Sequence, residues 1–298
     1  MTTGGALDGR VAIVTGASRG IGAAIARRFG AEGAAVAVSA RTESESDARL
    51  PGTIHETADA IRTAGGRAVA IRADLSSAQD RRGLVETATS ELGPIDVLVN
   101  NAAVTWFMPV GEFPARRFDV MFEVQVRAPF ELAQLVLPGM RARGRGWILN
   151  ISSGAARHPQ GPPYAGRARG GTVYGMCKAA IERFSTGLAA EVHEDGIAVN
   201  VLSPSRVVAT PGVVVHRLIP PGAEDQAGPV EVMAEAALAA RVGRPPDTDR
   251  PCGLQPGAAR AAGHCCRLDL ERASDVRDPS EQHPIEDRPE DDRLSHHV

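Results

Sequence analysis

Aromatic residues make up only 4% of the chain, and no run approaches the roughly 18 consecutive apolar residues that a membrane span requires. The N-terminal Met1–Gly5 lacks the basic-then-apolar pattern of a secretory signal, so a soluble, cytoplasmic protein is expected. Cysteine is scarce: of four residues, Cys252, Cys265 and Cys266 crowd into the last fifth, leaving Cys177 in the main body. That distribution excludes a disulfide framework. The Cys265-Cys266 pair beside His264 has no C-x-x-C or H-x-x-x-H spacing, so no metal site is expected either. Neither sign of charge is in large excess. A formal net charge of −3, with scattered arginines, leaves no electrostatic footprint for nucleic acid or an anionic membrane. A small molecule remains as the expected partner.

What is present is a rhythm. With 43% apolar residues over 298 positions, the chain can bury the core of one large domain or two small ones. Short β-branched runs at Val11–Thr15, Ala35–Ser39, Ala68–Arg72, Val97–Val99, Gly146–Ile151 and Ala198–Leu202 read as strands. Helical stretches at Ile21–Glu32, Glu56–Ala64, Ala78–Glu91, Ala115–Arg143 and Thr172–His193 alternate with them. Continuous apolar strands alternating with helices predict an α/β fold: a doubly wound parallel sheet in a Rossmann-like three-layer sandwich. The long stretch Ala115–Arg143 contains Pro129 and Pro138, so a bend at one and an end near the other are expected. A Gly-, Pro- and Arg-rich insert at Gly154–Gly171 reads as loop. Residues 1–242 form the expected single domain. After it, residues 243–298 read as an atypical tail with no strand pattern, and Glu271–Val298 carries nine acidic and four basic residues, a composition expected to be disordered.

Directly after the first strand comes Thr15-Gly16-Ala17-Ser18-Arg19-Gly20-Ile21-Gly22, running into an Ala-rich helix. Glycines let the backbone turn tightly and approach a pyrophosphate, whose charge meets the N–H groups and dipole of the helix start. Asp74-Leu75 follows the third strand, Asn100-Asn101-Ala102-Ala103 the fourth, and Tyr174-Gly175-Met176-Cys177-Lys178 opens a later helix. These motifs, in this order, resemble the short-chain dehydrogenase/reductase family over roughly Leu7 to Val242. The resemblance implies an NAD(P)-dependent oxidoreductase of carbonyl and alcohol groups, homo-oligomeric in keeping with the family. In that family the glycine motif (Gly16, Ser18, Arg19, Gly20, Ile21, Gly22) holds the dinucleotide, Asp74 with Leu75 meets the adenine, and Asn101 and Ala102 line the groove.

Tyr174 and Lys178 are four residues apart and share a helix face. An ammonium beside a phenol favours phenolate and is expected to pull the tyrosine below its ordinary pKa. The resemblance makes Tyr174 the general acid and base, Lys178 its partner and a holder of the nicotinamide ribose, and Ser153, with Ser152 as fallback, the donor to the substrate oxygen. Tyr164, the other tyrosine, has no lysine four residues later. The cofactor preference is read at the end of the second strand, where Ala40-Arg41-Thr42 offers no acid to grip ribose hydroxyls. Arg41 and Arg19 suit a 2′-phosphate, so NADP(H) is expected over NAD(H), with Glu43 nearby opposing that reading.

Two departures from the family pattern stand out. Val124-Gln125-Val126 replaces its V-N-V, so Gln125 carries the relay amide one methylene further out, and Gln125→Asn is expected to leave activity unchanged or raise it. Pro204-Ser205 replaces its Pro-Gly, and Thr210, the expected holder of the nicotinamide carboxamide, comes one residue late. An alternative reading is a catalytically impaired NADP(H)-binding protein with a sensing or assembly role. Resemblance stops where Gly243-Arg244-Pro245-Pro246 begins, as a shifted reading frame or a divergent extension would produce, and loss of a seventh strand would expose a sheet edge and impair assembly.

Overall fold

The computed structural model describes residues 4–44, 50–164, 170–215, 219, 227–242 and 267–269. Within these residues the strands are β1 (Val11–Thr15), β2 (Ala35–Ala40), β3 (Arg67–Arg72), β4 (Val97–Asn100), β5 (Gly146–Ile151), β6 (Ile197–Ser203) and β7 (Arg267–Asp269). They pair in parallel in the order β3-β2-β1-β4-β5-β6-β7. The expected parallel three-layer α/β sandwich is therefore what forms. Side chains alternate across the sheet, which explains the unbroken apolar runs. Ala12 and Val14 pack toward α1 (Gly20–Ala31), α2 (Ile54–Thr63) and the helix Val230–Val242. Val11 and Ile13 pack toward α3 (Ala78–Leu92), α5 (Ala128–Ala142) and α6 (Thr172–Val192). Both faces are covered, as parallel sheets require. Strand order reverses between β1 and β4, and such a switch point opens a crevice at the carboxyl ends of the strands.

The stretch Ala115–Arg143 is interrupted just before Pro129 but does not end near Pro138 as expected. It divides into α4 (Ala115–Phe122), a π-helical turn over Glu123–Arg127, and α5. Pro129 has no N–H to return to the Gln125 carbonyl four residues back, so the ladder is already interrupted there. The turn loosens instead, and the Ala128 N–H reaches the Glu123 carbonyl five residues back. Pro138 lies inside α5 and does not end it. Pro138 and Gln134, which loses its α-helical donor, both face solvent, while Leu132, Ala133, Val136, Leu137 and Met140 hold the opposite face in the core.

Arg81 of α3, in a stretch whose charge pattern suggests a solvated face, is 1% exposed. Its guanidinium donates to the Leu75 carbonyl at 2.6 Å and pairs with Glu131 at 2.7 Å and Glu123 at 2.9 Å. It thereby ties the loop after β3 to the start of the π turn and to the first turn of α5.

Beyond Val242, Arg267–Asp269 corrects the expectation that no strand follows. The edge of β6 offers unpaired backbone groups, and this segment pairs with Val201–Ser203. The remainder of the tail, with Cys252, Cys265 and Cys266, lies outside the described residues. Among the described residues no helix is long and apolar enough to cross a membrane.

Candidate active site

The glycine motif leaves β1 at the switch point. Thr15 Oγ1 donates to the Val99 carbonyl at 3.1 Å and accepts from the backbone N–H groups of Asn101 (3.0 Å) and Ala102 (3.2 Å). Asn101 Nδ2 returns to the carbonyls of Thr15 (2.9 Å) and Gly16 (3.2 Å). One hydroxyl and one amide thus clip the motifs after β1 and β4 together. Gly16 has φ +65°, and a Cβ there would lie 2.8 Å from Ala102 Cα. Gly20 has φ +58°, and a Cβ there would meet the Thr210 methyl at 3.1 Å. The concave backbone that these glycines keep open at the start of α1 is the cradle a pyrophosphate needs.

Farther along the same sheet end, Asp74 Oδ1 accepts from Ser76 N (3.0 Å) and Oγ (2.7 Å). Burial works to raise the Asp74 carboxyl, but these hydrogen bonds and the nearby Arg41 and Arg72 guanidiniums together hold it below its ordinary value. Leu75 is buried, its carbonyl held by Arg81. Arg19 Nη2 donates to the Gly52 carbonyl at 2.8 Å, while its buried Nε has no hydrogen-bond partner. Arg41 is exposed. Glu43 faces Arg72 at 3.5 Å and His55 at 3.9 Å.

At the chemical end, α6 carries Tyr174 and Lys178. The Ser153 side chain is brought to Tyr174, close enough to lower its phenol, although 21 positions separate them. The surplus of the insert leaves this contact intact, and its far end is tied down where the Met108 N–H donates to the Gly170 carbonyl at 3.1 Å. Ser152 points elsewhere, its hydroxyl donating to Glu182 Oε1 at 2.7 Å. Of the two serines, only Ser153 is brought to the tyrosine.

Lys178 is the only lysine among the 33 Lys and Arg residues of the chain. It is 5% exposed, donates from Nζ to the Ile151 carbonyl at 3.0 Å, and lies 5.6 Å from the Tyr174 ring centroid. Burial lowers it to about 8. The expectation that it depresses the tyrosine is corrected: burial raises the Tyr174 phenol above its ordinary value, outweighing the lowering by the Ser153 side chain. The ammonium faces the ring and a backbone carbonyl. Cys177, beside them in sequence, is buried, and burial pushes its thiol up to about 11, which leaves it unreactive at neutral pH.

Sequence reasoning missed the rest of this helix face. Tyr174, Lys178, Glu182 and Ser185 form one stripe, and Asn150 Nδ2 donates to Ser185 Oγ at 2.7 Å. Asn100 Nδ2 extends the chain by donating to Asn150 Oδ1 at 2.8 Å. The spacing of four, four and three residues was legible, but its partners on β5 become visible only with the tertiary fold.

Gln125 sits in the π turn, 3% exposed, its Nε2 donating to the Val104 carbonyl at 2.9 Å and its Oε1 without a hydrogen-bond partner. The added methylene is what reaches Val104 in the loop after β4. This geometry reverses the expectation for Gln125→Asn. The shorter amide should lose that bond, lowering stability by about 0.5–1.5 kcal/mol in urea melts and reducing activity. Unchanged stability with raised activity would restore the first reading.

A family model for short chain dehydrogenases matches residues 10–215. The short-chain reductase protein NovJ of Streptomyces niveus is 42% identical over 236 residues, spanning 78% of this chain and 80% of that protein. Among solved structures, a short chain dehydrogenase from Mycobacterium thermoresistibile aligns with a TM-score of 0.69 at 34% identity, covering 80% of this chain and 82% of that one. A metagenomic short-chain oxidoreductase in complex with NADP aligns with a TM-score of 0.64 at 31% identity, covering 79% and 92%.

Proposed function

The chain belongs to the short-chain dehydrogenase/reductase family, and from that premise we propose that it moves a hydride between NADP(H) and a carbonyl or secondary alcohol, with Tyr174 as general acid and base. Membership makes it an oxidoreductase of CH–OH and C=O groups. The observation that carries the finer reading is the convergence of the Ser153 side chain and the buried ammonium of Lys178 on Tyr174.

The residues fit a dinucleotide. Gly16, Ser18, Gly20, Ile21 and Gly22 would hold its phosphates at the start of α1, Asp74 and Leu75 its adenine, Asn101, Ala102 and Lys178 the nicotinamide ribose side, and Thr210 the carboxamide. When bound, the nicotinamide supplies or accepts the hydride. In carbonyl reduction the Ser153 hydroxyl donates to the substrate oxygen, steadying charge as it develops. Tyr174 then delivers its phenolic proton to that oxygen. A phenol held above its ordinary pKa stays protonated at neutral pH, ready to act as the acid. Lys178 would hold the nicotinamide ribose with its ammonium, and alcohol oxidation runs the same steps backwards.

That role needs a charged Lys178, so the pH dependence has a definite sign. As pH rises through about 8 the ammonium is lost, and kcat/KM for reduction should fall along a one-proton limb. A rate that stays flat to pH 10 would contradict it.

NADP(H) is favoured by charge. The end of β2 has no acid, Arg41 is exposed, and Arg19 keeps a buried Nε without a partner. Glu43 faces Arg72 and His55, which weakens its opposition to a 2′-phosphate. Arg41→Asp should weaken NADPH binding roughly ten- to hundredfold while sparing NADH. Equal affinities for the two cofactors in the native chain would sink this reading.

A screen of NADPH consumption over ketones and aldehydes, with secondary alcohols and NADP for the reverse, tests the reaction. Phe107, in the loop after β4, and Val214, in the short helix Pro211–Val215, are 42% and 62% exposed and favour apolar substrates. In a cytoplasmic homo-oligomer, the exposed Phe130 and Leu135 of α5 would be covered by a second copy.

A further inference from the structure

The carboxyl end of β5 and the residues just beyond it meet α6 at four consecutive positions. Asn150 holds Ser185, the Ile151 carbonyl holds Lys178 and Ser152 holds Glu182, while Ser153 faces Tyr174. Two of these pairs belong to the chemistry, and the Asn150 pair lies deep between helix and sheet. The Ser152–Glu182 pair touches nothing in the proposed reaction, yet Ser152 is only 3% exposed and its 2.7 Å bond is among the shortest on this face.

We propose that Ser152 and Glu182 are a positioning pair: their hydrogen bond sets the register of α6 on β5, and so seats Lys178 and Tyr174 against their partners. The role rests on the function assigned above. A helix start is ordinarily anchored by a cap, but Gly171 gives α6 no side-chain cap hydrogen bond. Register has to be set from the side. The apolar contacts of this face, Leu188, Ala189 and Val192, are non-directional and tolerate sliding. A slip of one residue moves a helix about 1.5 Å along its axis and turns it about 100°. Either displacement would break a 3.0 Å bond from Lys178 Nζ to a fixed carbonyl. Glu182 lies one turn beyond Lys178 on the same stripe, so a directional bond there opposes both motions.

A hydrogen-bond role needs an acceptor, whereas a charge role needs the carboxylate. Glu182→Gln keeps the acceptor, Glu182→Leu removes it, and Ser152→Ala removes the donor while leaving a half-buried carboxylate that water can reach. Because the chain has one lysine, protein labelled with carbon-13 at the lysine ε position gives a single signal, whose pH titration reports Lys178 directly. In the native chain and in Glu182→Gln its midpoint should lie near about 8. In Glu182→Leu and Ser152→Ala, folded as judged by circular dichroism, water reaches the loosened ammonium. The midpoint should then rise toward that of an ordinary lysine, and the Kd for NADPH should rise roughly three- to tenfold, the loss of one hydrogen bond.

An unchanged midpoint and unchanged Kd in a folded Ser152→Ala would overturn the proposal, whether or not Glu182→Leu folds. So would a Glu182→Gln variant that matches Ser152→Ala, since the charge rather than the register would then matter. The lysine signal needs no turnover. A native chain that reduces no carbonyl therefore counts against the assigned function and leaves this test standing.

Discussion

Tyr174→Phe should lower kcat by about 10²–10⁴-fold, the usual contribution of a positioned acid or base, while the Kd for NADPH stays close to native. The substitution deletes one hydroxyl. The ring keeps its packing against the cluster of Met121, Val173 and Cys177, and its edge contact with Phe107, whose centroid lies 5.5 Å away. Ser153 keeps its Oγ and still accepts from the Ala155 N–H at 3.2 Å, so the pocket should hold its shape. Lys178→Ala should instead damage both turnover and binding, because it removes a charge serving both. Steady-state kinetics with a fluorescence titration of NADPH separates the two patterns. If Tyr174→Phe retains most of its activity, the proton comes from elsewhere and Tyr164 returns as a candidate.

The second large effect is on stability. Arg81→Met should lower the unfolding free energy by about 3–5 kcal/mol, the range for breaking a buried ion pair from one side. Three acceptors lose Arg81: the Leu75 carbonyl and the carboxylates of Glu123, which keeps Arg127 at 3.0 Å, and Glu131. Both carboxylates are more than a quarter exposed, and water reaching them favours the lower end of that range. Leu75 belongs to the adenine side of the proposed cofactor site and Glu123 opens the turn that carries Gln125. NADPH affinity should therefore fall together with stability, which urea melts and a binding titration measure side by side. A loss below about 1 kcal/mol would mean that the side chain acts mainly as packing.

The contrast between Arg81 and Tyr174 marks what could be read before folding. Strands such as Val11–Thr15 and Gly146–Ile151 were legible to the residue, because a parallel strand covered on both faces admits little but apolar side chains. The glycine motif was legible because a close backbone approach restricts the residue types allowed, and Tyr174 and Lys178 because their motif, in order with the others, resembles the family's. Arg81 was not, since its burial depends on two glutamates some 40 to 50 positions away that local pattern reads as solvated. The π turn depends on a lost donor rather than a gained contact. The direction of the Tyr174 shift depended on how deeply its ring is covered, which a spacing of four residues leaves open. Between Ser152 and Ser153, one step along the chain decides which hydroxyl meets Glu182 and which meets Tyr174, and that choice belongs to the packing of α6 on β5.

The arginine bias of the surface has a further consequence for the life of the protein in a cell. Acylation, glycation and ubiquitin transfer to lysine all require a reachable ε-amine, and the N-terminal amine aside this chain owns one, enclosed between helix and sheet. While it stays folded, its lysine chemistry is closed to all of them. Those modifications become possible at Lys178 only once the site that uses it has come apart.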